Sequence, residues 1–505
     1  MRVDLPGGLR LYGWQVPVVA GLAATTVLAL LLGVLGLLPG QGETSAAVLS
    51  SATPIASGSS SATPSAFPTP PAVLLPVGAN AAMPTRAGLA AALDALLASP
   101  ALGRHLGGAV VDLATGRLLF GANAAGPFAP ASTTKLMTVT AALATLGPDF
   151  RIQTRVVQSA AAGQIVLVGG GDPTLSTSTP AGFVPAPASL TDLAVGTAAA
   201  LRASGRTSVR LGYDATLFAG PRIDPTWPST DVPTGVVSPV TALSVDEGRV
   251  GAMVEGQAPR VADPPLAAAD AFERRLVAAG ITVVGPPTAV KAPPAPPPAA
   301  TPGAGPSTAT GVAPGATLAA VQSPALADLV AWMLSTSDND LAEAVAHLVA
   351  LHAGQPATFA GGVAAVTRAL AGLGLPMAAV HLYDGSGLTG STQASPALLG
   401  ALLCLAASPG HPTLRPVLTG LAVAGFTGSL QSRFADATTR GAAGLARAKS
   451  GTLTVVSALA GTVLDADGRE LAFVFLADQV PPGGTPAARE ALDRLVTAVA
   501  GCGCR

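Results

Sequence analysis

The sequence predicts an α+β protein, on three observations. Residues 108–113 and 117–120 flank Ala114-Thr115-Gly116 and read as a β-hairpin. Near the other end, residues 452–463 and 471–476 read as adjacent strands joined by the turn Asp465-Ala466-Asp467-Gly468. A last helix follows from about Pro486, at a first-turn position behind Thr485, to Ala500. Strands followed by a terminal helix suit a sheet packed by helices.

The chain opens differently. Residues 11–42 carry no charge, and residues 16–38 are a 23-residue apolar run. As a helix the run measures about 34 Å, against a hydrocarbon core of about 30 Å. Arg2 and Arg10 precede it and Glu43 follows. The positive-inside tendency then keeps residues 1–15 cytoplasmic and exports the rest. The run exceeds a signal-peptide core of about 7–15 residues. We read it as a retained single-pass transmembrane anchor in the cell membrane; cleavage near Ser45-Ala46-Ala47 would instead give a secreted protein. Residues 39–86 are rich in Ser, Thr, Pro and Ala, bury too little to repay ordering, and read as a disordered stalk.

The folded part opens with a helical stretch over residues 89–98, ahead of the hairpin. Residues 132–146 have helical spacing and stop at Gly147-Pro148. Residues 151–290 mix short β-rich runs, such as 165–168 before Gly169-Gly170-Gly171-Asp172. No Lys-Ser/Thr follows those glycines, so they read as a turn and not a phosphate loop. Residues 292–316 are a Pro-rich loop. Helical spacing returns over 326–334 and 341–351.

A formal net charge of −1 argues against nucleic acid as a partner, because phosphate binding needs a basic patch. Cys502 and Cys504 are too few for a zinc site, and His347 and His352 do not share a helix face. We therefore expect no metal and no cofactor. In an exported protein Cys404 could pair with Cys502 or Cys504, leaving one thiol free. Of 27 basic residues only three are lysines, Lys135, Lys291 and Lys449. Arginine keeps its proton, whereas a buried lysine can serve as a base.

Two of those lysines sit in short polar motifs. The first motif is Ser132-Thr133-Thr134-Lys135. Residues three apart share a helix face, so Ser132 and Lys135 can touch. A serine hydroxyl is a poor nucleophile until a base takes its proton. A helix N-terminus at Ser132 would favour developing negative charge. The second motif is Ser337-Asp338-Asn339, between two helical runs. The third is Lys449-Ser450-Gly451-Thr452, opening a strand. Alone each is weak, since Ser132 could cap a helix and Ser337 and Asn339 could be turn residues. The ordered trio is the signature set of penicillin-binding proteins and class A β-lactamases.

The surrounding residues sharpen the resemblance. Phe128-Ala129-Pro130-Ala131-Ser132 through Thr138, Gly169-Gly170-Gly171-Asp172-Pro173-Thr174 and Asp384-Gly385-Ser386-Gly387-Leu388 all resemble the large-insert D-alanyl-D-alanine carboxypeptidases of peptidase family S13. So do Ser337-Asp338-Asn339 with Glu343 beyond it, and Ala448-Lys449-Ser450-Gly451-Thr452. Ser132 and Ser337 are 205 positions apart, which leaves room for the inserted domains of that family. The resemblance implies a penicillin-binding-protein/β-lactamase-like transpeptidase fold over 87–150 and 317–505, an antiparallel sheet packed by helices. A large β-rich domain over 151–316 interrupts it.

It also implies an activity and roles. The expected enzyme is a serine-type D-Ala-D-Ala carboxypeptidase, with possible endopeptidase action, on peptidoglycan stem peptides. β-Lactam antibiotics would be its covalent inhibitors. Ser132 attacks the carbonyl of the penultimate D-alanine and Lys135 is the base. Ser337 relays a proton to the leaving amine, and Asn339 holds the substrate's peptide. Lys449 and Thr452, with Ser450 and Gly451 between them, receive the terminal carboxylate. The N–H groups of Ser132 and Thr452 make the oxyanion hole. Ser450 stands where the family usually has Thr, and Val455 where it often has Gly. Gly390 and Ser391 stand where it has Arg. A silent peptidoglycan-binding scaffold and a β-lactamase are the alternatives; the intact polar set argues against the first and the long insertion against the second.

Overall fold

The computed structural model describes residues 3–4, 10–11, 81–178, 183–251, 256–296 and 312–504. The apolar run 16–38 and residues 39–80 of the stalk lie outside the described residues. Val3–Asp4 pairs antiparallel with Arg10–Leu11. Within the segment 39–86, residues 81–86 belong to the folded body: Met83 packs against its core and Thr85 caps the first helix.

The described chain runs as α1 (Arg86–Leu97), β1 (Leu106–Asp112), β2 (Leu118–Ala122) and α2 (Thr134–Leu146). The insertion holds β3 (Gln153–Gln158), β4 (Gln164–Val168), α3 (Leu190–Ala203), β5 (Ser208–Asp214) and α4 (Pro264–Ala278). It ends with β6 (Thr282–Val283), β7 (Thr288–Ala289) and β8 (Thr317–Gln322). Then come α5 (Leu326–Thr336), α6 (Asn339–His352), α7 (Phe359–Gly372), α8 (Pro396–Ala407) and α9 (Pro416–Thr419). The chain closes with β9 (Ala422–Val423), β10 (Ala446–Leu453), β11 (Val456–Leu464), β12 (Glu470–Ala477) and α10 (Thr485–Ala500).

The main sheet has the order β9-β10-β11-β12-β1-β2 and is antiparallel throughout. Strand β12 pairs with β1, from Leu471 opposite Asp112 to Ala477 opposite Leu106. The two halves of the peptidase region, separated by the insertion, thus form one sheet. Successive side chains of a strand point to opposite faces. Accordingly Ala472, Val474 and Leu476 join the core under α2 and α5–α8, whereas Leu471, Phe473 and Phe475 join the core under α1 and α10. Both faces are covered, so β12 reads as an unbroken apolar run and not as an alternating one.

The insertion carries a second sheet, ordered β8-β3-β4-β5-β6, with β7 also on β5. Its β3, β4 and β8 pair antiparallel; β4, β6 and β7 each run parallel to β5. Helices α3 and α4 cover it, with Leu193, Leu201, Phe272 and Leu276 in the shared core. The sheet is the β-rich insertion the sequence predicts; the two helices are additional. Strand β8 lies beyond residue 316, yet Val321 pairs with Thr154. The inserted sheet therefore closes at Gln322, because its last strand pairs with a partner far upstream that no local signal reveals.

Two further expectations change. The stretch 452–463 is not one strand: Thr454-Val455 turns the chain between β10 and β11, with Leu453 opposite Val456. Two-residue hairpin turns usually use Gly or Asn at positive φ. Here neither residue has a positive φ, so the turn carries no sequence signal. Cys404 does not pair with the C-terminal cysteines. It packs against the α2 side of the main sheet, while Cys502 is bonded to Cys504 on the other face.

Among the described residues no single helix is long and apolar enough to cross a membrane. The apolar α8 and the following segment Pro412–Thr419 meet at a bend of 114°, and Leu398, Leu402 and Val417 are buried in the core.

Candidate active site

The three motifs converge from three elements. A single 3-10 turn, Ala131–Thr133, carries Ser132 into α2, and Lys135 lies one turn on. Lys135 Nζ is 3.1 Å from Ser132 Oγ, as the three-residue spacing requires. Ser337 ends α5 in the left-handed region (φ 66°). The next residue, Asp338, starts α6 by accepting a hydrogen bond from Leu341 N–H at 2.9 Å. Ser-Asp-Asn is thus a helix stop fused to a helix start, which turns Asn339 toward Lys135 on α2 and Ser337 toward Lys449 on β10. Lys449, Ser450, Gly451 and Thr452 lie on β10 beside the 3-10 turn.

Both lysines are fully buried. Lys135 Nζ also donates to Asn339 Oδ1 at 2.7 Å and to the Ser386 carbonyl at 2.9 Å. Burial pulls its pKa down to about 8, although the carboxylates of Glu343, Asp384, Asp338 and Asp340 raise it. Lys449 Nζ donates to Ser337 Oγ at 2.9 Å and to the Ser450 carbonyl at 2.6 Å. Burial, followed by the positive charges of Lys135 and Arg433, holds it well below the ordinary lysine range. Ser450 Oγ bonds Ser429 Oγ at 3.0 Å, and Thr452 Oγ1 accepts from Arg489 Nη2 at 3.2 Å.

Asn339 is held at both ends of its side-chain amide. Its Oδ1 is taken by Lys135, and its Nδ2 donates to the Val236 carbonyl at 2.9 Å. The amide thus ties α6 to Lys135 on one side and to the insertion on the other.

Gly451 sets the distance between β10 and Ser132. A Cβ there would stand 2.6 Å from Pro130 O and 3.1 Å from Ser132 N. Only hydrogen fits, and the backbone of β10 approaches the Ser132 N–H closely. With Leu453 and Val456 closing a two-residue hairpin, the antiparallel ladder alternates so that Thr452 N–H faces away from β11. Short β9 pairs only with Ala448 and Arg447, which leaves that edge open beside Ser132.

The chain matches the D-Ala-D-Ala carboxypeptidase 3 (S13) family over residues 89–260 and 256–499. It belongs to that family. Among its relatives, a carboxypeptidase of Mycobacterium tuberculosis is 36% identical over 449 residues, covering 87% of this chain and 90% of the relative. A D-alanyl-D-alanine carboxypeptidase of Actinomadura sp. (strain R39) is 31% identical, covering 75% of this chain and 79% of the relative. In fold the chain is similar to penicillin binding protein 4 of Haemophilus influenzae, with a TM-score of 0.62 and 20% identity. That match covers 82% of this chain and 98% of the other.

In this S13 chain several residues near the motifs had no role assigned from sequence. The Asp384 carboxylate accepts from Gly387 N–H at 2.9 Å, Thr389 N–H at 3.0 Å and Trp227 Nε1 at 2.9 Å. Trp227 comes from the insertion. Glu343, on α6, accepts from the N–H groups of Gly385 and Ser386. Arg260, also from the insertion, pairs with Asp340 at 2.8 Å, and Arg249 with Glu247 at 2.8 Å. The carboxylates of Glu247, Asp338 and Asp340 gather there within 4.8 Å of one another. The Asp384-Gly385-Ser386-Gly387-Leu388 string and the acidic residue after Ser-Asp-Asn were visible as motifs; their partners, from distant segments, were not. Gly390 faces open space, so the arginine absent there leaves no packing gap.

Proposed function

We propose that this chain is a serine-type D-Ala-D-Ala carboxypeptidase, working through an acyl-enzyme on Ser132. The carrying observation is the neutralisable lysine: Lys135 is buried, stands 3.1 Å from Ser132 Oγ and has a pKa near 8. Family membership supports the same activity.

Lys135 takes the Ser132 proton as Oγ attacks the carbonyl carbon of the penultimate D-alanine. The N–H groups of Ser132 and Thr452 hold the developing oxyanion. The C–N bond then breaks, and the leaving D-alanine amine takes a proton through Ser337, which Lys449 contacts. Water later hydrolyses the ester. A substrate carboxylate beside Lys449 favours its charged form, restoring the cation that burial opposes. A β-lactam offers the same carboxylate and an acyl group whose leaving amine stays tethered.

The partners in this reading are peptidoglycan stem peptides and β-lactams. The membrane is a third, through residues 16–38, with the folded part on the cell-wall side. Labelled penicillin tests the chemistry: the wild type should take the label on the Ser132 peptide and Ser132→Ala should not. An adduct on Ser337 overturns the assignment. Protease added to intact spheroplasts should shave off the folded part; full protection sinks the topology.

A further inference from the structure

The loop 384–387 is held peptide unit by peptide unit. The first unit carries Gly385 N–H, which donates to both Glu343 oxygens at 3.1 Å. The second carries the Gly385 carbonyl, which accepts from Thr138 Oγ1 at 2.6 Å, and Ser386 N–H, which donates to Glu343 Oε1 at 2.7 Å. The third carries the Ser386 carbonyl, which accepts from Lys135 Nζ, and Gly387 N–H, which donates to Asp384 Oδ1. Peptide units are planar, so a fixed N–H fixes the carbonyl of the same unit.

This matters because of what a base needs. A neutral lysine amine has two N–H bonds and one lone pair. The Asn339 amide oxygen and the Ser386 carbonyl offer no proton, so each takes one N–H. The lone pair is then left for the Ser132 hydroxyl. Asn339 and Glu343 are four apart on α6 and share a face. Asn339 reaches Lys135 directly; Glu343 fixes the two peptide units on either side of Gly385, which lead into the Ser386 carbonyl, whose own unit Asp384 holds through Gly387 N–H.

We propose that Glu343 is a positioning residue for acylation: through the backbone of Gly385 and Ser386 it aims the Lys135 lone pair at Ser132. The proposal rests on the acyl-enzyme reading above. Glu343 is 1% exposed and touches no open surface through which substrate could reach it. The charged and titratable groups around it and Lys135 are Asp384 in the loop, Asp340 on α6 and Asp338 at the α6 cap, with His347 on α6 bonded to the Glu343 carbonyl. Lys449 on β10 faces Lys135 in turn. Burial, then the Asp384 charge, push the Glu343 pKa up to about 8, against the N–H donors of Gly385 and Ser386. As a carboxylate it is also the strongest of the charges that raise Lys135.

The test compares Glu343→Gln and Glu343→Ala with wild type in the full chain, using fluorescent penicillin across pH. Glutamine keeps one acceptor oxygen for Ser386 N–H and sets an NH2 group against Gly385 N–H. Misplacement of a reacting group by about 1 Å costs about 10²-fold, so we expect a fall in the maximal acylation rate of about tenfold for Gln and about 100-fold for Ala. Non-covalent affinity, set by Lys449 and Thr452, should not change. Removing the carboxylate should also shift the acid limb of the Gln variant's pH profile to lower pH, because Lys135 then loses its proton more readily. A structural role alone moves neither the rate-against-affinity split nor the limb. The proposal is overturned if Glu343→Gln acylates at the wild-type rate with the same limb. It is equally overturned if the loss merely tracks the unfolded fraction by circular dichroism. If the wild type takes no penicillin, the acyl-enzyme reading falls and this proposal with it.

Discussion

Gly451→Ala tests the closeness of β10 to the nucleophile. The new Cβ would stand 2.6 Å from Pro130 O, while ordinary contact begins at 3.4 Å. Strand and turn must therefore part by about 0.8 Å, on the scale at which a 1 Å misplacement costs about 10²-fold in rate. Neither side can yield by rotating a side chain, since Pro130 O and Ser132 N are backbone atoms. The parting widens the gap between the N–H groups of Ser132 and Thr452. Losing one oxyanion donor costs about 10²–10³-fold, so we expect acylation to fall about 100-fold. Overpacking should also cost about 1–3 kcal/mol of stability. Stopped-flow acylation by fluorescent penicillin measures the first effect and urea unfolding the second. An unchanged acylation rate in a folded Gly451→Ala protein would refute the oxyanion geometry.

The lysines should rank by what each site demands of them. Lys135→Arg keeps the charge but removes a usable base, so acylation should collapse; wild-type speed with an intact circular-dichroism spectrum would exclude Lys135 as the base. Lys449→Arg should retain partial acylation with weaker binding, and Lys291→Arg should match the wild type. Because Lys135 must lose its proton to act and its pKa lies near 8, the wild-type acylation rate should climb as pH rises through that value. A flat profile across that range contradicts the assignment. Arg260→Ala strands the buried Asp340 carboxylate against Asp338 and Glu247, and should cost about 3–5 kcal/mol in urea unfolding. A loss below that of a surface substitution would mean the pair does not hold the insertion to α6.

Local spacing along the chain was enough for part of this protein. Ser132 and Lys135 are one helical turn apart whatever surrounds them, and that contact is present. The hairpin around Gly116, the two helices flanking Ser337 and the last helix follow from periodicity and turn residues in the same way. The order of the three motifs, with Ser132 and Ser337 205 positions apart, also announced the insertion. Other features are properties of pairs far apart in the chain. The Lys135 pKa is lowered because the residue is buried, and its burial comes from α6 and the 384–387 loop closing over α2. Glu343 looks like one more polar helix residue until Gly385 and Ser386 are set against it. Gly451 could be any strand glycine until Ser132 N lies beside its Cα. Strand β8 shows no partner until β3 is folded next to it, and Cys404 is kept from Cys502 only because the main sheet stands between them. Sequence periodicity reports which face of an element is apolar. Which distant face it meets depends on how the elements pack, and that decided the Lys135 pKa, the closeness of β10 to Ser132 and the contacts around Lys135 Nζ.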